Sequence, residues 1–129
     1  MTEPRWVTIA RRYLGVAEVP GKGSNPALVN LWKRYGSIWT LLGADDSRAP
    51  WCGTFAAECM TQAGLPVPRH PYRAKAWLDV PFWLDAPALG CIVVFERPGG
   101  GHVGFVVGRD ELGRLMVLGG NQGDEVSIA

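Results

Sequence analysis

Pro50-Trp51-Cys52-Gly53-Thr54-Phe55-Ala56-Ala57-Glu58-Cys59-Met60-Thr61-Gln62-Ala63-Gly64-Leu65-Pro66 is the stretch around which the rest of the chain is organised. Cys52, Phe55, Ala56, Cys59, Met60 and Ala63 fall on one face at helical spacing. Gly64-Leu65-Pro66 then stops the run. The spacing predicts a helix beginning near Pro50, with Cys52 in its first turn. Toward the N-terminus the pattern stays helical. Trp6, Ile9, Ala10, Tyr13 and Leu14 mark a first helix that Gly15 ends. Asn25-Pro26 reads as an N-cap with proline at the first helical position, and Leu28, Leu31, Trp32 and Tyr35 give that second helix its apolar stripe. A short helix is expected over 73–79, around Trp77 and Leu78.

After that helix the period changes. Cys91–Phe95, Val103–Val107, Leu115–Leu118 and Val126–Ile128 are short apolar runs, separated by turns at 98–101 and 109–114. Helices followed by an antiparallel meander predict an α+β fold. A chain of 129 residues, 47% hydrophobic and 19% charged, suits one globular domain spanning 1–129. Six tryptophans is a high count, enough to build much of the core and to line a groove.

The same numbers exclude several classes. A formal net charge of +1 offers nucleic acid no basic stripe. No apolar run approaches the roughly 20 residues of a membrane span. The start Met1-Thr2-Glu3-Pro4-Arg5-Trp6 lacks the basic-then-apolar order of a signal peptide, so synthesis in the cytoplasm is expected. Three cysteines without a C-x-x-C pair are expected to be free thiols. With only His70 and His102, and no zinc-type spacing, no metal site is expected. A monomer is the default.

Three residues carry candidate chemistry. Cys52, at a helix start, sits where unpaired N–H groups and the dipole favour a thiolate, although a cysteine sharing a face with Phe55 and Cys59 can equally be a packing residue. His102 follows Pro98-Gly99-Gly100-Gly101 and opens a strand, where one imidazole edge can stay accessible to take a proton. Asn121, in Leu118-Gly119-Gly120-Asn121-Gln122-Gly123, ends the next strand. A hairpin of 102–108 with 115–121 brings it beside His102, where an amide oxygen can fix the imidazole tautomer. Gln122 and Asp124 are rivals for that place, and turn chemistry is the plainer reading of the asparagine. Weaker candidates for substrate contact are Asp45 and Asp46, otherwise a solvated loop; Glu18, otherwise turn structure; Trp51, otherwise packed at the helix start; and Gln122. Arg69, His70 and Arg73 can meet substrate carboxylates or form a solvated face.

Pro50–Phe55, Gly101-His102-Val103-Gly104-Phe105 and Gly119-Gly120-Asn121-Gln122, in that order, resemble the NlpC/P60 and CHAP superfamily of cell-wall cysteine hydrolases. The likeness is to its small phage- and bacterium-encoded members with a W-C-x-x-F helix start and a G-G-N-Q strand end. Gly15-Val16-Ala17-Glu18, Asn25-Pro26 and Arg73–Leu78 fit the same pattern. The resemblance implies a papain-like fold, with Cys52 as nucleophile, His102 as base and Asn121 as the orienting residue. It implies peptidoglycan as substrate and a cysteine endopeptidase or N-acetylmuramoyl-L-alanine amidase working through a thioester, with no cofactor. Delivery to the wall would fall to another system, such as phage lysis or injection. Two positions depart from the pattern. Gly90-Cys91 stands where many relatives have Gly-Asp, and Gly119 stands where many CHAP members carry Glu two residues before the asparagine. The chain also ends earlier than such domains usually do, so a closing strand that is short or absent is expected. The competing readings are a non-catalytic wall-binding or phage structural module, and a hydrolase of another amide such as an isopeptide. A complete Cys-His-Asn set favours the enzyme.

Overall fold

The computed structural model describes residues 3–17, 25–36, 51–79, 84–97 and 100–129. Three α-helices come first: α1 (Arg5–Arg11), α2 (Pro26–Tyr35) and α3 (Cys52–Gln62). A 3₁₀ helix, η1 (Ala74–Asp79), follows, then β1 (Ile92–Arg97), β2 (Gly100–Arg109), β3 (Leu115–Gln122) and β4 (Glu125–Ile128). The α+β class is therefore as read from the sequence. Asn25 caps α2 by accepting a hydrogen bond from the Ala27 N–H at 2.9 Å, with Pro26 in the first turn where its missing N–H costs nothing.

The strands form one antiparallel sheet in the order β1-β2-β3-β4. Val94 pairs with Val103 and Phe105 with Leu118, and these side chains point toward the helices. α3 packs across β2 and β3. Phe55, Ala56 and Cys59 of α3 meet Val103, Phe105, Leu118 and Val126 in one core, to which α1 adds Val7 and α2 adds Leu28 and Trp32. Each large side chain buried there contributes about 1.5–3 kcal/mol.

Three elements differ from the sequence reading. The first helix ends at Arg11 instead of running to Leu14, because the chain beyond it is drawn onto the sheet edge. The Gly15 N–H donates to the Val126 carbonyl at 3.0 Å, the Val126 N–H donates to the Val16 carbonyl at 2.8 Å, and Ala17 bridges Glu125. Residues 74–79 form a 3₁₀ helix, with the Trp77 indole N–H turned back onto the Pro71 carbonyl at 3.0 Å. β2 starts at Gly100, two residues before His102, so the histidine lies inside the strand.

On the far side of α3 from Cys52, Glu58 is 5% exposed and holds α2 to α3. Its carboxylate accepts hydrogen bonds from Arg34 at 2.5 Å, Tyr35 at 2.6 Å and Gln62 at 3.0 Å. Burial pushes this carboxyl up, but the donors Tyr35, Gln62 and Arg34, with the Arg34 charge, outweigh it and leave its pKa below the ordinary value. Stability from this cluster is thus fully present above the ordinary carboxylate range and is lost as pH falls through the lowered value. Urea unfolding at neutral pH should show Glu58→Gln less stable than the parent by about 1–3 kcal/mol. The difference should shrink as the pH is taken down through the acid range; a difference independent of pH would contradict this assignment.

Candidate active site

Cys52 occupies the first position of α3, after Trp51, and is 4% exposed. It is therefore set where the backbone N–H groups of a helix start favour negative charge. Cys59, two turns on, is buried; burial, and then the charge of Glu58, push its thiol well above the ordinary range and keep it protonated. Of the two helix cysteines, only Cys52 is placed for thiolate chemistry.

The imidazole of His102 is held on two sides. Phe95, its cross-strand partner, stacks on it with ring centres 6.3 Å apart and planes 18° from parallel. Its Nε2 lies 2.8 Å from Gln122 Oε1. The Gln122 amide can face only one way, because its NH₂ donates to the Val117 carbonyl at 3.0 Å and to the Ser127 carbonyl at 2.8 Å. Its oxygen must then accept, so the ring nitrogen opposite must donate. The neutral ring is consequently the Nε2–H tautomer, with its lone pair on Nδ1. An imidazole fixed in this way can take a proton at Nδ1 while keeping its bond to Gln122.

Two successive glycines of β3 connect this imidazole to the helix start. A Cβ on Gly119 would lie 3.3 Å from His102 Nε2 and 2.8 Å from Gln122 Oε1. A Cβ on Gly120 would strike the Trp51 ring at 2.8 Å and Phe55 at 2.9 Å. β3 therefore carries the histidine against one residue and the start of α3 against the next. The segment leading into η1 touches both as well. The Pro71 carbonyl presses on Gly53, where a Cβ would come within 2.2 Å, and the side chains of Ala74 and Lys75 lie 3.5 and 3.4 Å from the corresponding position on Gly101. Gly53 follows the cysteine and Gly101 precedes the histidine.

The hydrogen bond to the His102 Nε2 is made by Gln122, which the sequence reading named as a rival to Asn121 for that place. The reason is a bulge. The β3–β4 ladder shifts register between Gly119 and Gln122, and Asn121 adopts a left-handed backbone with φ 59°. An extra residue there reverses the alternation and returns Gln122 to the face of Gly119, where its amide fills the space a side chain at 119 would occupy. That is the position at which the family resemblance calls for Glu and this chain has Gly. Gly123 and Asp124 close the hairpin with φ 63° at both, the pattern of a type I′ turn. Asp124 is exposed.

Asn121 lines a groove of about 740 Å³ with Phe95, His102, Gln122 and Ser127. Trp51, read from the sequence either as packed at the helix start or as a wall for substrate, is fully buried beneath Gly120, its ring part of the helix–sheet packing. Glu18, Asp45 and Asp46 lie outside the described residues. Among the described residues, no group of three His, Cys, Asp or Glu side chains is placed to hold a metal ion, and no helix is long and apolar enough to cross a membrane. The sequence reading missed Phe95 as the ring under the histidine; its only signal was an aromatic residue in the strand paired with 102.

These features define an α+β domain in which a helix start and a histidine strand are joined across a glycine pair. Residues 44–121, more than half of the chain, match the CHAP domain, and the protein belongs to that family. The matched stretch contains Cys52 and His102 and ends at Asn121. CHAP domains are generally hydrolases, and the family implies peptidoglycan as substrate. No curated protein and no solved structure matches the chain.

In a Cys52→Ala background, at a pH where the imidazole is neutral, a ¹H–¹⁵N spectrum should show His102 with its proton on Nε2, and adding Gln122→Ala should give the mixed tautomers of an unrestrained ring. A neutral ring with its proton on Nδ1 in that background would refute the assignment.

Proposed function

We propose that the protein is a cysteine hydrolase that cleaves an amide bond in the peptide part of peptidoglycan, with Cys52 as nucleophile, His102 as base and Gln122 as the residue that orients the imidazole. The observation carrying this reading is the Gln122–His102 hydrogen bond, which leaves the basic lone pair on Nδ1. It gives the histidine the restraint that a triad's third member supplies. The helix-start position of Cys52 and the match to CHAP domains support the remainder.

In this mechanism His102 Nδ1 takes the thiol proton of Cys52, and the sulfur attacks the carbonyl carbon of the amide. The tetrahedral oxyanion is stabilised by backbone N–H groups at the start of α3. The imidazolium, still donating through Nε2 to Gln122, gives its proton to the departing amine. A thioester remains on Cys52. Water, deprotonated by the same Nδ1, attacks the thioester and releases the acid. The scissile bond is either within the stem peptide or at the sugar–peptide amide. Because the wall lies outside the cytoplasm, this reading includes delivery by another system.

Purified sacculi provide the test. The parent should release soluble fragments whose masses identify the cut bond, and Cys52→Ala should release none. Gln122→Ala should lower kcat by about 100-fold, within the range of general acid–base effects, and Asn121→Ala by much less. Binding to sacculi without release by the parent would overturn the enzymatic reading in favour of a wall-binding module. An equal loss in both amide variants would return the orienting role to a shared network.

A further inference from the structure

The turn entering η1 gathers positive charge next to the site. Arg69, His70, Arg73 and Lys75, with Ala76 and Asp79, surround a pocket of about 500 Å³. The four cationic or ionisable side chains are exposed. The ion pairs among the described residues join Arg11 to Glu3, Arg34 to Glu58 and Arg114 to Asp110, and neither Arg69, Arg73 nor Lys75 takes part in them. Among the described residues that line the pocket, three cations stand against the one carboxylate of Asp79, a local concentration of positive charge in a chain of net charge +1.

Local contacts tie together the scaffold under the pocket. The Arg73 guanidinium lies over the Tyr72 ring at 5.8 Å, and His70 meets the same ring edge-on at 5.8 Å. The Arg73 N–H bonds back to the His70 carbonyl, and the Ala76 N–H to the Arg73 carbonyl, both at 3.0 Å. His70 adopts φ 54°, in the left-handed region that few residues other than glycine enter. The location matters most. The segment bearing these charges presses Pro71 on Gly53, beside the cysteine, and Ala74 and Lys75 on Gly101, beside the histidine.

We propose that this pocket is an anion subsite of the hydrolase that takes a free carboxylate of an acidic peptide chain lying across Cys52. The assignment rests on the proposed function, whose substrate it narrows: peptides with a free carboxylate near the scissile amide are preferred over the same peptides amidated there. Arginine suits a planar carboxylate because its fork can donate two parallel hydrogen bonds.

The test separates binding from turnover. In a Cys52→Ala background, titration calorimetry follows a soluble peptide fragment of peptidoglycan with its carboxyls either free or amidated. The Arg69→Gln/Arg73→Gln double variant should weaken binding of the free-carboxyl fragment about tenfold, as expected for two exposed charge pairs. The amidated fragment should bind weakly and equally to both proteins, and Arg73→Lys should restore part of the loss. A parent that binds both fragments equally, or a double variant that binds the free form undiminished, overturns the subsite. Displacement of the fragment by a poly(glycerol phosphate) chain, with no preference between the two forms, would overturn it in favour of a phosphate polymer. Because the Cys52→Ala background needs no hydrolysis, a failure of catalysis and a failure of the subsite give different results.

Discussion

The Gln122 side chain is tied down before it meets His102. Two backbone carbonyls, those of Val117 and Ser127, take both of its amide protons and leave its oxygen a single direction. Everything proposed for the histidine descends from that constraint. A freely rotating amide would accept or donate with little preference, and the proton on the imidazole would be shared between its two nitrogens. Here the orientation is imposed by the β3–β4 hairpin, so the tautomer is a property of the fold. Each hydrogen bond involved is worth only about 0.5–1.5 kcal/mol net, but their geometry excludes the alternative.

The same strand also explains why the site tolerates so little side chain. Gly119 has the His102–Gln122 pair on one side, and Gly120 has Trp51 and Phe55 on the other. A methyl group at either position would have to displace a packed ring or a hydrogen-bonded amide. Gly53 is confined in the same manner by the carbonyl of Pro71. These glycines are matched to close approach, and they let the start of α3, the histidine strand and the charged turn before η1 converge.

Much of this was legible in the sequence because its cause is local. The apolar face of 52–63 and the stop at Gly64 fixed α3, and alternation and turn chemistry fixed the order of the strands. Cys52 at the helix start and His102 on the strand follow from those elements. Asn121 was the expected partner for a sound reason. A regular ladder continued from Phe105↔Leu118 would put it opposite His102. The bulge that substitutes Gln122 depends on one left-handed residue, and G-G-N-Q-G signals a turn without telling where the extra residue falls. The pairing of residues 15–17 with β4 and the contact of η1 with Gly53 and Gly101 are products of tertiary approach, and no window of sequence contains them. Trp51 could be read either way, because an aromatic residue at a helix start serves a core or a cleft equally well.

The central claim is that His102 activates Cys52, and the rate of alkylation of that thiol as a function of pH tests it most directly. With iodoacetamide, the parent is predicted to show reaction at Cys52 extending well below the pH at which an ordinary thiol ionises, with Cys59 unreactive in the folded protein. His102→Ala should move the Cys52 profile up toward that of a free thiol. Superimposable profiles for the two proteins, each rising only in the ordinary thiol range, would contradict the account.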